Sequence, residues 1–245
     1  MTRHPIVWEP PERLVAPSGS SIRIVKLALA DGGGDELRAV LSEDERERAD
    51  KFRFDRDRKH FITARAGLRQ ILATCLNRDP HELVFEYGEQ GKPELTGLDF
   101  ALRFNLSHSG NMAVYALAEG RDVGIDVERY DTRRDHDGIA SRFFTNGESQ
   151  ALSKIPERER AHAFTQLWVR KEAFLKACGQ GLFMSLDTVE ISVGYDAPHI
   201  VALSGEPADS ASWFIADIDA DPEYAASIVV SGSEVAIRGY TWTTG

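Results

Sequence analysis

The sequence predicts an α+β protein made of two similar lobes in a pseudo-twofold arrangement, with its active site in the cleft between them. Runs with the apolar spacing of helices and runs with the alternation of strands both occur along the chain. The same order of a strand, helices and further strands recurs in the second half, which indicates a duplication. We therefore expect an N-terminal lobe over residues 1–120 and a C-terminal lobe over residues 121–245.

The first half opens with a Pro- and Ser-rich arm over residues 1–20. Ser42, followed three positions later by Glu45, forms a capping box that begins a helix reaching about Phe54. An apolar stripe then predicts a longer helix over residues 57–76. Alternating or short apolar runs predict strands at 22–29, 83–87, 102–106 and 112–118.

The second half repeats this scheme. Residues 123–128 have the pattern of a strand, a short helix begins at Asn146, and residues 158–178 form a long helix. Short apolar runs predict strands near 189–193, 200–203, 213–218, 226–230 and 234–242. Two such halves facing each other create a cleft, which is a common location for ligand sites.

Charge and composition exclude several classes of protein. The net charge of −10 argues against nucleic-acid binding. The sequence has no run of 18 apolar residues, so it predicts no membrane-spanning helix. The N-terminus lacks an apolar signal core, and the two cysteines are expected to be buried free thiols, so we expect a cytoplasmic protein. A basic cluster between Arg46 and Arg69 is compatible with a local anion site.

Acidic residues are concentrated on one strand and one helix. Asp126 and Glu128 alternate on a strand and so project from the same side, while Glu172 and Lys176 are four apart and share a helix face. Taken singly, such motifs are more often a solvated sheet face and a surface ion pair. If strand and helix meet, however, the three carboxylates suit Mg²⁺ and the lysine suits a phosphate-bearing substrate.

Two turn-like motifs precede the acidic strand. Ser107 and His108 are expected where a strand ending at Leu106 enters a turn, and serine and backbone N–H groups there can bind phosphate. Gly91 and Lys92, followed by proline, predict a rigid turn. Alone, a structural histidine and an ordinary surface turn are the simpler interpretations of these two motifs.

Together the motifs resemble a known family. Gly-Lys-Pro, Phe-Asn-Leu-Ser-His-Ser, Gly-Ile-Asp-Val-Glu and Trp-x-x-Lys-Glu-Ala-x-x-Lys follow one another in this order, as in the Sfp-type (surfactin-synthetase-activating) 4′-phosphopantetheinyl transferases. The resemblance spans about residues 42–182, and the chain length is similar to that of the two-lobed, monomeric members. It implies Mg²⁺-dependent transfer of 4′-phosphopantetheine from coenzyme A to a serine hydroxyl of an apo acyl or peptidyl carrier protein, releasing adenosine 3′,5′-bisphosphate.

The resemblance also implies residue roles. It assigns the metal to Asp126, Glu128 and Glu172, and catalysis to Glu172, Lys176 and His108. It assigns coenzyme A binding to Arg48, His60, Gly91, Lys92, Ser107, His108 and Lys176. His60 and Glu45 depart from the family, which has basic residues for the 3′-phosphate at both positions. Glu172 is our candidate for the base that takes the serine proton.

The partner and two alternative functions follow from the same residues. Because the carrier is expected to be acidic, an enzyme of net charge −10 needs a local apolar or basic patch to bind it. Phe143, Phe144 and the loop 179–184 are candidates, with burial in the core as the alternative for the aromatic side chains. The acids could instead serve a Mg²⁺-dependent phosphohydrolase, or the chain could be a non-catalytic coenzyme A-binding module.

Overall fold

The computed structural model describes residues 5–29, 34–88, 91–97, 102–179, 184–194, 196–207, 212–232 and 235–244. Helices and strands both occur along this part of the chain, so the predicted α+β class is confirmed. Among the described helices, none is both long enough and apolar enough to cross a membrane.

Among the described residues, the first half contains three α-helices and six strands. Helix α2 begins with the predicted capping box of Ser42 and Glu45 but ends at Asp50, before the predicted Phe54. The helices are α1 (Asp35–Val40), α2 (Glu43–Asp50) and α3 (Asp55–Leu76). The strands are β1 (Trp8–Glu9), β2 (Ser21–Ala28), β3 (Phe85–Tyr87), β4 (Pro93–Leu95), β5 (Leu102–Ser109) and β6 (Met112–Glu119).

The second half follows the same order, with a second 22-residue helix corresponding to α3. Its helices are α4 (His136–Phe143), α5 (Asn146–Ser153) and α6 (Glu157–Cys178). Its strands are β7 (Val123–Arg129), β8 (Val189–Ile191), β9 (Ile200–Leu203), β10 (Glu206–Pro207), β11 (Trp213–Asp217), β12 (Tyr224–Ser231) and β13 (Ala236–Trp242).

The two main sheets do not divide at residue 120. The larger sheet has the strand order β1-β13-β2-β6-β5, and the smaller one has the order β11-β12-β7. Strand β13 therefore crosses from the second half into the sheet of the first, where it pairs in parallel with both β1 and β2. The N-terminal arm is tied down by the same strand, because Trp8 pairs with Gly239.

The chain is layered as helix, sheet, sheet and helix. One cluster joins α3 to the larger sheet and includes Leu68, Leu72 and Tyr115. A second lies between the two sheets, where Ile24 of β2 and Ile125 of β7 are both fully buried. A third packs α6 against the smaller sheet. Each long helix thus covers the outer face of one sheet, and apolar burial drives both contacts.

Strand β5 is longer than the sequence predicts. It was expected to end at Leu106, but its pairing with β6 continues through Ser107, His108 and Ser109. These residues are therefore held in a strand, and the turn is made by Gly110 and Asn111. Pairing with β6 overrides the polar character of the three residues, which by itself favours a turn.

Candidate functional site

Helix α6 lies directly on β7 at Gly124. A Cβ atom built at Gly124 would be 2.0 Å from the carbonyl oxygen of Ala173 and 2.4 Å from the amide nitrogen of Ala177. Only glycine permits this approach of helix backbone to strand backbone. The contact brings the helix turn that carries Glu172 and Lys176 beside the strand that carries Asp126 and Glu128.

Lys176, Asp126 and Ser107 form one hydrogen-bonded group. The Lys176 ammonium lies 2.6 Å from Asp126 Oδ1 and 2.9 Å from Ser107 Oγ. Ser107 Oγ donates to the same Oδ1 at 2.6 Å. The side chain of Asp126 is 5% exposed, and its second oxygen, Oδ2, is buried without a hydrogen-bond partner among the described residues. A buried carboxylate oxygen left in this way is a ready acceptor for a cation.

The other two acids are also desolvated. Glu128 Oε2 accepts a hydrogen bond from Ser109 Oγ at 2.7 Å. Burial is the main cause that raises the pKa of Glu128, although the bond from Ser109 lowers it. Burial likewise raises the pKa of Glu172, and the charge of Asp126 raises it further. Both effects show carboxylates held where negative charge is poorly solvated.

All three predicted metal ligands line one cavity of about 430 Å³, here called the acidic cavity. Its lining residues are Leu106, Ser107, His108, Asp126, Glu128, Trp168, Glu172 and Lys176. Within the part of the chain that the structure describes, no three His, Cys, Asp or Glu side chains are already clustered as a metal site. The three carboxylates therefore line one cavity, but the described residues do not form a preassembled metal site.

A second cavity of about 300 Å³, the apolar cavity, adjoins the first. The two share Leu106, His108 and Lys176. Its walls include the apolar side chains of Phe61, Leu68 and Phe104 and the predicted site residues Arg48, Gly91 and Lys92. Lys176 and Gly179 also line it, so both halves of the chain contribute to the wall. The predicted His60 is absent from its lining. Phe61, Ala64, Arg65 and Leu68 form the face of α3 that does line it.

Lys92 connects the two halves. Its ammonium donates to the backbone carbonyl of Lys176 at 3.0 Å, in the last turn of α6, where a cation is favourable. Burial lowers the pKa of Lys92. Gly91 before it has φ +71°, a left-handed conformation that glycine adopts without strain. The Gly-Lys pair thus holds the loop before β4 against the helix that carries Lys176.

His108 lies where the two cavities meet. Partial desolvation lowers the pKa of its imidazole, and the positive charge of Lys176 lowers it further, with a smaller contribution from His60. Both effects lower the pKa from its ordinary value of about 6.5 and so favour the neutral imidazole. A neutral imidazole can both donate and accept a hydrogen bond.

Glu45 has a structural role rather than a place at a phosphate site. Its carboxylate is 1% exposed and pairs with Arg69 at 2.6 Å and with Arg65 at 3.2 Å. It also accepts a hydrogen bond from the backbone N–H of Ser42 in the capping box. Glu45 therefore fixes α2 against α3. It also pairs with Arg65, which lines the apolar cavity.

Two buried ion pairs hold α6 in place around Glu172. Arg170 makes a bidentate contact with Asp217, with distances of 2.9 and 2.6 Å. Lys171 is fully buried, and its ammonium lies 2.6 and 2.7 Å from the two oxygens of Glu148. Because such pairs are costly to break from one side, they fix the rotation of the helix.

Sequence reasoning missed several residues at the site. Ser109, Asn105 and Arg65 contact or line it, and Trp168 lines the acidic cavity. The signal for Ser109 and Asn105 is their spacing of two from Ser107 on a strand. Arg65 could have been found from its spacing of four after Phe61 on one helix face.

The two aromatic residues proposed for carrier binding, Phe143 and Phe144, differ in exposure. Phe144 is 5% exposed and stacks on Phe164 in the core, so for this residue the core alternative holds and the surface patch does not. Phe143 is 39% exposed, and the Arg142 guanidinium lies 5.1 Å from its ring centre. Of the third candidate, the loop 179–184, residues 180–183 lie outside the described residues.

Comparison with known proteins agrees with this geometry. Residues 122–229 match the 4′-phosphopantetheinyl transferase superfamily, and residues 35–120 match the N-terminal region of 4′-phosphopantetheinyl transferases. One match in each half agrees with the two-lobed arrangement that the sequence predicts.

Individual relatives extend over most of the chain. It is 33% identical to the 4′-phosphopantetheinyl transferase HetI of Nostoc sp. over 95% of its own length and 96% of the relative. It is 31% identical to a 4′-phosphopantetheinyl transferase of Bacillus subtilis, with 82% and 86% covered, and 27% identical to Sfp of Bacillus subtilis strain 168, with 82% and 86% covered. The chain therefore belongs to the 4′-phosphopantetheinyl transferase superfamily and is an enzyme of that class.

Proposed function

We propose that the enzyme takes 4′-phosphopantetheine from coenzyme A and transfers it to a serine hydroxyl of an apo acyl or peptidyl carrier protein, with Mg²⁺, releasing adenosine 3′,5′-bisphosphate. One observation carries the proposal. An apolar cavity and an acidic cavity meet at His108 and Lys176. Coenzyme A has matching parts, because its pyrophosphate joins an aromatic nucleoside to a flexible arm.

The donor set of the acidic cavity fits Mg²⁺. Asp126, Glu128 and Glu172 offer only oxygen, and Oδ2 of Asp126 is buried with no hydrogen-bond partner in the part of the chain that the structure describes. Mg²⁺ is usually bound by one or two carboxylates and completed by water and substrate phosphates, so it does not require a preassembled protein cluster. When bound, it supplies neutralisation of the charge that develops on the pyrophosphate.

The residues at the junction of the cavities contribute to the same neutralisation. The Lys176 ammonium faces the acidic cavity, and its longest contact, to the Ile125 carbonyl at 3.4 Å, can be exchanged for a phosphate oxygen. The imidazole of His108 can donate a hydrogen bond to a second oxygen. In the transfer, the carrier serine oxygen bonds to the β-phosphorus, and the bond from that phosphorus to the bridging oxygen breaks. The bridging oxygen leaves with adenosine 3′,5′-bisphosphate.

Glu172 is the proposed base for the serine proton. It projects from α6 into the acidic cavity, and its raised pKa makes it a stronger base than an ordinary carboxylate. Asp126 is less suited to this role because its Oδ1 is already engaged by Lys176 and Ser107. Glu172 is therefore proposed to accept the proton in addition to serving as a ligand beside Asp126 and Glu128.

The nucleotide end of coenzyme A is proposed to occupy the apolar cavity. Arg48 lines this cavity and is the proposed contact for the 3′-phosphate, whereas His60, the other residue expected there, does not line it. Arg65 adds a second guanidinium to the wall. The family has a basic residue at position 45. In this chain Glu45 instead pairs with Arg65, and we propose the Arg65 guanidinium as the replacement for that basic residue.

An acidic carrier is proposed to bind near Phe143. This ring is the exposed member of the aromatic pair and has the cation of Arg142 against it. A local apolar and basic surface of this kind can bind an acidic helical domain in spite of the net charge of −10.

Monomeric state and cytoplasmic location complete the proposal. Cys75 and Cys178 are both free thiols, which suits a reducing compartment. Light scattering during size exclusion tests the monomer directly. A stable dimer would contradict that part of the proposal.

The decisive experiment is incubation with coenzyme A, Mg²⁺ and a panel of apo carrier proteins, read by intact mass. We expect a gain of one phosphopantetheine, abolished in Asp126→Ala and retained in Asp137→Ala, whose carboxylate pairs with Arg160 on the surface. No gain on any carrier would overturn the proposal. Release of phosphate from coenzyme A without a carrier would favour the phosphohydrolase instead.

A further inference from the structure

Two strands from different sheets form a polar seam along the acidic cavity. Three alternate residues of β5 form hydrogen bonds with β7. Asn105 Oδ1 accepts a hydrogen bond from the Ile125 N–H at 2.9 Å. Ser107 Oγ donates to Asp126 at 2.6 Å, and Ser109 Oγ donates to Glu128 at 2.7 Å. Because both strands have a side-chain period of two, each acid receives its own serine. From this seam we infer that Ser109 is a positioning residue that fixes Glu128 for metal binding.

The proton of Ser109 has a defined direction. The backbone N–H of Arg129 donates to Ser109 Oγ at 3.1 Å, so the hydroxyl already acts as an acceptor there. Its single proton is then committed to Glu128 Oε2. Ser109 thereby engages one carboxylate oxygen, holds the side chain in one orientation, and leaves Oε1 as the ligand atom.

Ser109 and Ser107 differ in a way that makes Ser109 the better test. Ser107 also accepts a hydrogen bond from Lys176, so a change there alters the phosphate-binding machinery directly. The side-chain hydrogen bonds of Ser109 in the described part of the chain go to Glu128 and to the Arg129 backbone. Its loss therefore alters the orientation of Glu128 without removing a group that touches substrate.

The inference rests on the proposed function, in which Glu128 is a metal ligand. Residues that hydrogen-bond to a ligand typically change metal affinity 10- to 100-fold when removed, because the ligand must then be ordered as the metal binds. We therefore expect Ser109→Ala to raise the dissociation constant for Mn²⁺, used as a spectroscopic substitute for Mg²⁺, by about 10- to 100-fold.

The experiment measures free Mn²⁺ by electron paramagnetic resonance in the presence of coenzyme A and without any carrier. Ser109→Thr keeps the hydroxyl and should retain the wild-type affinity within about threefold, whereas Ser109→Val, of nearly the same shape, should lose affinity like Ser109→Ala. Ser153→Ala is the control, since this exposed serine bonds only to its own helix in the described structure. The Thr and Val pair keeps the test valid even if Ser109→Ala does not fold.

The outcomes separate the inference from the proposed function. Equal Mn²⁺ affinity in the Thr and Val variants would overturn the positioning role while leaving the transferase proposal intact. A wild-type enzyme that binds no Mn²⁺ in the presence of coenzyme A would overturn both.

Discussion

The ammonium of Lys176 lies 2.6 Å from Oδ1 of Asp126, although the two residues are 50 positions apart and belong to a helix and a strand. The contact places a cation and an anion side by side at the junction of two cavities. Lys176 is 27% exposed on its side chain, whereas Asp126 is 5% exposed. The lysine is thus the more accessible partner and can turn toward a phosphate without leaving its place on α6.

Replacing Lys176 by Met tests this role. We expect kcat for carrier modification to fall roughly 100- to 1,000-fold, the usual cost of losing one group that stabilises developing charge. Lys154→Met, at an exposed position after α5, is the matched control and should keep wild-type kcat. A Lys176→Met enzyme with unchanged kcat would show that the ammonium only fills a structural ion pair.

Gly124→Ala tests the contact between α6 and β7. The added methyl meets backbone atoms of Ala173 and Ala177, so we expect a loss of about 1–3 kcal/mol in the free energy of unfolding. Activity should fall about 100-fold as well, since displacing α6 by about 1 Å moves Glu172 and Lys176 away from Asp126. Thermal unfolding and carrier modification measure the two effects.

The control for this substitution is Gly34→Ala, where an added Cβ meets no atom of the described residues within 4 Å and φ is −66°. Alanine is a poorer N-cap than glycine but reduces the entropy of the unfolded chain, and these opposing effects should keep the change in stability within about 1 kcal/mol. If Gly124→Ala were as stable and active as Gly34→Ala, the close packing of helix on strand would not be what positions the acids.

Cys178 is predicted to react slowly with iodoacetamide. Burial raises the pKa of its thiol to about 11. At pH 8 the thiolate fraction is then roughly 200-fold below that of a free cysteine, and the greater nucleophilicity of the more basic thiolate recovers about tenfold. The rate should therefore be about 20-fold below that of the unfolded chain and should rise about tenfold for each pH unit up to pH 10. A plateau near pH 8.5 would contradict the raised pKa.

Sequence patterns were sufficient for the features that depend on periodicity. The capping box at Ser42 and the shared face of Glu172 and Lys176 follow from local spacing alone. The end of β5 was misplaced because its last three residues are held by pairing with β6, a contact between strands that no local pattern encodes. Strand β13 joins the first sheet for the same kind of reason. Glu45 could be interpreted only once Arg65 and Arg69 were seen around it.

Glu172→Gln should stabilise the metal-free protein while removing activity. The pKa of Glu172 is raised in the folded state by burial and by Asp126, so the folded state binds this proton more tightly than the unfolded state does. The stabilisation that comes from protonated Glu172 is therefore present below the pKa of the unfolded state and is lost as the pH rises through the pKa of the folded state. With EDTA at pH 7.5, the Gln variant, which carries no charge, should have the higher unfolding temperature. The difference should shrink as the pH falls toward 4.

Adding Mg²⁺ with coenzyme A should reverse this order. Ligands that bind only the folded state raise its stability according to their concentration and affinity, and the wild type, which retains all three carboxylates, gains more than the variant. The measurement is thermal unfolding of both proteins with EDTA and with saturating Mg²⁺ and coenzyme A. A Glu172→Gln protein that is less stable than wild type in EDTA would show that Glu172 is held by a favourable interaction, and a carboxylate stabilised in that way is unsuited to act as the base.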